Sequence, residues 1–280
     1  MIKQFCIGDR QLYLSRAVVM GILNVTPDSF SDGGRFDRVE RAVEHALRMQ
    51  EEGADIIDLG GESTRPGAAA VTVDEELGRV IPVIRALRQQ TSLPISIDTS
   101  KPEVMRAAVG EGANMVNDVN ALQANGAVQT CAELEVPVCL MHMQGEPRTM
   151  QQDPQYDDVV KDVAAYLQQR SIECIESGIH RNNIVIDPGF GFGKTLRHNL
   201  DLLNGLESIS GLELPVLVGI SRKSMLGAIL DRPVNERLYA GIAAAVIAYQ
   251  KGARLFRVHD VGPTRDALAV CDALQHTTGS

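Results

Sequence analysis

Three short apolar runs in this 280-residue chain stop at a side chain suited to hydrogen-bond donors. Residues 94–97 stop at Asp98, residues 115–116 at Asn117 and Asp118, and residues 184–186 at Asp187. A carboxylate accepts from two adjacent N–H groups, and a carboxamide both donates and accepts. Together they suit the edge of a flat polar heterocycle. A second group is cationic. Residues 215–220 run into Ser221, Arg222 and Lys223, and the next strand-like run, Leu255–Val258, alternates through Arg257 to His259. Arg257 and His259, ahead of the helix start signalled by Gly262-Pro263, suit an anion. Residues 18–23 end at Asn24, which offers a neutral oxygen. Each residue alone has a plain structural reading: strand-end Asp and Asn often cap the next turn, and most lysines are solvated. Several such residues at successive strand ends shift the weight towards a ligand.

Two further runs complete the series: 55–59 enters Gly-Gly-Glu-Ser-Thr-Arg, and 136–141 ends at His142. Eight apolar runs separated by helical spacing predict an α/β chain folded as a (β/α)8 TIM barrel, with its chemistry at the C-terminal mouth. Residues 2–16 alternate weakly about Gly8-Asp9 and predict an N-terminal β-hairpin plugging the floor. Helices are expected over 38–52 and 73–90, from Pro102 to Gly110 or Gly112, near 126–135, and up to Ser177. A pair ending at Gly252 and a last helix from about Pro263 follow. Polar loops over 24–36 and 61–72 follow the first two strands. Nothing resembles a linker, so residues 1–280 are expected to form one domain.

The formal net charge of −9 makes non-specific attraction to nucleic acid or anionic membrane unfavourable, so an anionic substrate needs a local basic cluster. Five scattered cysteines without Cys-x-x-Cys spacing read as reduced thiols in a cytoplasmic protein. No apolar run is long enough to span a bilayer, and the N-terminus carries no signal-peptide pattern.

Two motifs mislead. Gly189-Phe-Gly-Phe-Gly-Lys194-Thr195 suggests a phosphate-binding P-loop, but that motif needs glycine where Pro188 stands. The glycines better suit a sharp turn beneath a ligand, with Phe190 or Phe192 offering a ring face; core phenylalanines on a structural turn are an equally weighted reading. Met141-His142-Met143 suggests a soft metal, yet no second ligand sits at the right spacing. A sulfur-lined apolar wall fits better. The histidines at 45, 180, 198 and 276 read as solvated.

In order along the chain, these segments resemble dihydropteroate synthases. They are Gly21-Ile-Leu-Asn24 through Phe30 to Gly34, Asp58-Leu-Gly-Gly-Glu62-Ser-Thr64-Arg65-Pro66-Gly67, Ser96-Ile-Asp98, Val116-Asn117-Asp118, Asp187 to Lys194, Gly219-Ile-Ser221-Arg222-Lys223, and Arg257-Val-His259-Asp260. The resemblance implies condensation of 6-hydroxymethyl-7,8-dihydropterin pyrophosphate with p-aminobenzoate. It implies a pterin site of Asp98, Asn117, Asp187 and Lys223, walled by Met141 and Phe192. Asn24, Thr64, Arg65, Arg257 and His259 would meet the pyrophosphate. Phe30, Thr64, Arg65, Pro66, Phe192, Ser221 and Lys223 would meet p-aminobenzoate. Asp98, Lys223, Arg257 and His259 carry the catalytic roles. It further implies Mg²⁺ on Asn24 and a homodimer. A pterin-binding domain of a corrinoid methyltransferase could share the Asp98, Asn117 and Asp187 pocket, but has no use for the Thr64-Arg65 loop. A barrel aldolase using Lys223 and a non-catalytic pterin carrier are the other readings.

Overall fold

The computed structural model describes residues 4–26, 35–64, 67–146 and 149–277. β1 (Gln4–Ile7) and β2 (Arg10–Tyr13) pair antiparallel as the expected hairpin. The eight barrel strands follow: β3 (Val18–Asn24), β4 (Ile56–Gly60), β5 (Ile95–Asp98), β6 (Met115–Asp118), β7 (Val138–Met141), β8 (Ile184–Asp187), β9 (Leu217–Val218) and β10 (Leu255–Val258). All neighbouring pairs are parallel, in the order β8-β7-β6-β5-β4-β3-β10-β9. The bridge Ile186–Val216 joins the two outer strands and closes the barrel. Parallel strands buried on both faces read as continuous apolar runs, which is why the runs were visible in the sequence.

The longest discrepancy is in β9. The apolar run over 215–220 suggests a full strand, but the ladder holds only Leu217 and Val218. Pro215 has no N–H to give a ladder. Past Val218 the chain turns into the segment carrying Ser221 and Lys223, where Arg222 adopts a left-handed φ of 59°.

The helices form the outer ring: α1 (Arg35–Glu51), α2 (Val73–Arg88), α3 (Pro102–Gly110), α4 (Ala127–Leu134), α5 (Val159–Glu176), α6 (Leu196–Asn204), α7 (Leu206–Ser210), α8 (Ser224–Leu230), α9 (Leu238–Gln250) and α10 (Val261–Thr277). Local chemistry sets their starts. Thr72 and Glu75 close a capping box on α2, Pro102 takes the first turn of α3, and Asp158 accepts from Val160 and Lys161 N–H at α5. His198, expected to be solvated, instead closes the Thr195 capping box of α6.

Side chains inside the barrel form a separate apolar cluster. Phe5, Ile7, Leu12 and Leu14 of the hairpin region pack beneath Val18, Met20, Ile56, Met115, Val185, Leu217 and Leu255. The floor is a packed core. A larger cluster fills the space between strands and helices.

Candidate functional site

Two residues beyond the floor layer, the inward positions change character. Ile56 is followed by Asp58, Met115 by Asn117, Val185 by Asp187 and Leu255 by Arg257. Strand alternation makes these pairs share one face. Lateral register then sets Asn24 beside Gly60, Gly60 beside Asp98, and Asp98 beside Asn117. Met141 pairs with Asp187 on β7 and β8. Asp58, Asp98, Asn117 and Asp187 are all buried.

Arg257 binds these carboxylates together. Its Nε donates to Asp58 Oδ2 at 2.5 Å and its Nη2 to Asp98 Oδ2 at 2.6 Å. Asn117 Nδ2 donates to Asp58 Oδ2 at 3.2 Å, which orients the amide. Burial pushes the Asp98 carboxyl up to about 7, with Arg257 opposing the rise and Asp58 adding to it. Burial also raises Asp187, although Gly189 N–H donates to its Oδ1 at 2.7 Å. The turn-forming role weighed for Asp187 in the sequence is thus real, but it engages one oxygen. Asp118, by contrast, caps its own loop by accepting from Asn120 and Leu122 N–H and from Ser100 Oγ.

Lys223 reaches the same mouth from the turn before α8. Its ammonium donates to Phe190 O and lies 4.0 Å from the centre of the Phe192 ring. Burial pushes it down to about 7, with Asp187 pulling the other way. Ser221 Oγ lies 3.1 Å from His259 Nδ1 and accepts from His259 N–H at 3.2 Å. Arg222 pairs with Asp260 and ties this turn to the start of α10. Asp98, Asn117, Met141, Asp187 and Arg257 therefore fall towards the ends of adjoining strands, with Phe192, Ser221, Lys223 and His259 on the segments that follow β8, β9 and β10. Asn24 lies across the same mouth, facing Gly60. Thr64 is half-buried just past β4. Phe30, Arg65 and Pro66 lie outside the described residues.

Sequence reasoning missed three contributors. Asp58 sits mid-strand, two residues before the Gly-Gly turn, and only its inward phase sets it apart. Lys101 pairs with both Glu62 and the fully buried Glu76. Glu62 also accepts from Val71 N–H and Arg79 donates to Gly61 O, so the neck of the second polar loop is fastened. Lys194 is the third, buried beneath the glycine-rich turn.

A buried acceptor row facing a cation and an aromatic ring can bind a flat heterocycle by its donor edge; the Arg257–His259 side can receive an anion. Comparisons with known proteins agree. Residues 20–259 match the family model described as pterin binding enzyme. The dihydropteroate synthase of Haemophilus influenzae is 52% identical over 266 residues, spanning 95% of this chain and 97% of its own. That of Escherichia coli K12 is 53% identical over 272 residues, or 97% and 96%. Among solved structures, Xanthomonas albilineans dihydropteroate synthase with 4-aminobenzoic acid superposes with a TM-score of 0.93 at 52% identity, covering 98% of this chain and 99% of that one. The same enzyme in complex with 7,8-dihydropteroate gives 0.89 at 50% identity, covering 97% and 98%.

Proposed function

The chain belongs to the pterin-binding enzyme family, and from that premise we infer that it acts as a dihydropteroate synthase. It joins 6-hydroxymethyl-7,8-dihydropterin pyrophosphate to p-aminobenzoate and releases pyrophosphate. The observation that carries this reading is the register-aligned row from Asn24 to Asn117, with Asp187 and Lys223 completing it. Relatives named for this activity over nearly their whole length weigh against the corrinoid methyltransferase alternative.

Asp187 accepts from the pterin amino group and ring N–H, Asn117 donates and accepts, and Asp98 accepts from another ring N–H. Lys223 meets the pterin oxygen or a ring nitrogen, and Met141 and Phe192 wall the ring. A guanidinium has five donors and Arg257 commits two to Asp58 and Asp98, so others remain for phosphate oxygens. His259 and the N-terminus of α10 add positive field.

The C–O bond to pyrophosphate breaks first, and its electron pair leaves with the pyrophosphate. Arg257 and His259 stabilise the departing charge, while the Asp98 carboxylate lies ready to stabilise the methylene cation. The aniline nitrogen then forms the C–N bond and gives up one proton, which the released pyrophosphate or water takes. Phe30, Thr64, Arg65, Pro66, Phe192, Ser221 and Lys223 form the p-aminobenzoate slot. Thr64 and Arg65 also approach the pyrophosphate.

Asn24 offers a carboxamide oxygen at the strand end beside Gly60, a donor that fits a hard cation. Mg²⁺ held there would neutralise charge on the leaving pyrophosphate. The whole chain, residues 1–280, serves as one pterin-binding domain. Homodimerisation is supported by exposed apolar residues on the successive helices α8, α9 and α10: Ile229 and Leu230, Tyr239 and Ile247, and Val270. The four buried thiols among five free cysteines support a reducing, cytoplasmic setting. No helix among the described residues is long and apolar enough to cross a membrane.

Pyrophosphate release measured with and without p-aminobenzoate tests the reading. Release that p-aminobenzoate speeds, with 7,8-dihydropteroate formed alongside it, is expected; release that p-aminobenzoate leaves unchanged, with no dihydropteroate formed, contradicts it.

A further inference from the structure

The turn joining β8 to α6 is fastened at every carbonyl from Gly189 to Gly193. Gly189 O and Phe192 O accept from Lys194 Nζ, each at 3.0 Å. Phe190 O accepts from Lys223 Nζ, Gly191 O from Gln151 Nε2 at 2.6 Å, and Gly193 O from the Tyr156 hydroxyl at 2.8 Å. The glycines allow this. Gly189 and Gly193 have φ of 69° and 60°, and an added Cβ would fall 1.9 Å from His142 O or 2.3 Å from Gln144 O. The turn therefore lies directly on the backbone that follows β7.

Lys194 is at the centre of this arrangement and has no part in the chemistry above. It is 3% exposed. A buried ammonium persists only when hydrogen-bonded. Besides the two turn carbonyls, its Nζ lies 2.9 Å from His142 Nδ1. Burial, with the charge of Lys194, pushes His142 down to about 3, and burial pushes Lys194 itself down to about 7, with Asp187 pulling the other way. The imidazole is neutral, with Nδ1 facing the Lys194 nitrogen. The Tyr166 ring packs perpendicular to the imidazole, with centroids 4.9 Å apart at 88°.

We propose that Lys194 is a positioning residue for the p-aminobenzoate wall. Its ammonium ties Gly189 O and Phe192 O to His142, and so holds the Phe192 ring and the Phe190 carbonyl where Lys223 meets them. This rests on the synthase reading. It also divides the site into two parts. Asp98 and Asn117 stand on strand ends held by ladders, apart from the turn, and Asp187 ends β8 with one oxygen on the turn's Gly189 N–H. Phe192 stands on the turn itself. Phe192 and Lys223 serve both ligands, but the pterin keeps the ladder-held acceptors Asp98 and Asn117, so loosening the turn should damage p-aminobenzoate recognition more than pterin recognition.

The test is Lys194→Met, which keeps the alkyl stem and removes the ammonium. Two quantities are compared with the wild-type enzyme: the KM for p-aminobenzoate in the pyrophosphate-release assay, and the calorimetric Kd of a pterin lacking phosphates. The KM is expected to rise roughly tenfold or more, as for a displaced contact, while the pterin Kd stays within about threefold. A KM within about twofold of wild type, or equal losses in both quantities, overturns the proposal. Should Lys194→Met fail to fold, Tyr156→Phe removes only the Gly193 donor. It should show the same split at smaller size, and no split there overturns the proposal equally. A wild-type enzyme that releases no pyrophosphate refutes the reaction reading itself, and this inference falls with it. An active wild type without the split refutes the inference alone.

Discussion

At the floor of the barrel the inward side chains are Phe5, Ile7, Leu12 and Leu14 beneath Ile56, Met115, Val185 and Leu255. At the mouth, two residues further along the same strands, they are Asp58, Asn117, Asp187 and Arg257. Two residues of strand span roughly 7 Å. Within that distance the barrel passes from a layer that only packs to a layer of buried charge. The same backbone ladders serve both. The floor gains stability from each apolar contact. The mouth gives some away, because burying Asp58, Asp98 and Asp187 is unfavourable unless a cation or a ligand meets them. Arg257 meets the first two. Recognition is thus built on groups that the fold alone would not choose, and the floor must hold them in place.

Arg257→Ala should break the comparison most severely at the mouth. It leaves Asp58 and Asp98 facing each other without their cation and removes a phosphate donor. Affinity for the pterin pyrophosphate should fall roughly 100- to 1,000-fold, and affinity for a pterin without phosphates much less. Calorimetry with the two ligands checks this, and equal losses would remove Arg257 from the pyrophosphate site.

Phe5→Ala tests the other end. Phe5 is 1% exposed in the floor cluster. Its truncation should lower unfolding stability by about 3–5 kcal/mol in denaturant titration. Pterin affinity measured well below the new midpoint should be unchanged. A large loss of affinity in a folded variant would show that floor and mouth are not separable.

The smallest effect sharpens the mouth itself. Lys223, pushed down to about 7 by burial, is the binding form only while protonated. That form is present below the folded value and lost as pH rises through it. In the free enzyme, kcat/KM should therefore fall along an alkaline limb with a midpoint near 7. The limb should disappear in Lys223→Arg, whose guanidinium stays charged. A limb of unchanged midpoint in that variant would assign it to another group.

The architecture was legible because each buried parallel strand is a short apolar run with a polar stop, and because the helix starts after Thr72 and at Pro102 carry their own local chemistry. Asp98, Asn117 and Asp187 were legible for the same reason, as the polar residues that end buried strands. Asp58 was not, since it lies inside a strand and acquires meaning only from distant partners, Asn117 and Arg257, the latter 199 residues away. Lys194 was hidden by its resemblance to a phosphate loop, and nothing local says that its ammonium turns inward. His198 and the shortened β9 show the same limit. Local pattern shows which groups end an element, but not which partner the fold brings to them.

The central claim is that strand-end acceptors at the mouth read the pterin edge. Calorimetric titration of a pterin lacking phosphates into Asp187→Ala, beside wild type, tests it most directly. Loss of roughly 100-fold or more in affinity, with a retained unfolding transition, is the predicted result, because charge-assisted bonds to a buried donor edge are removed. Wild-type affinity in that variant would contradict the account.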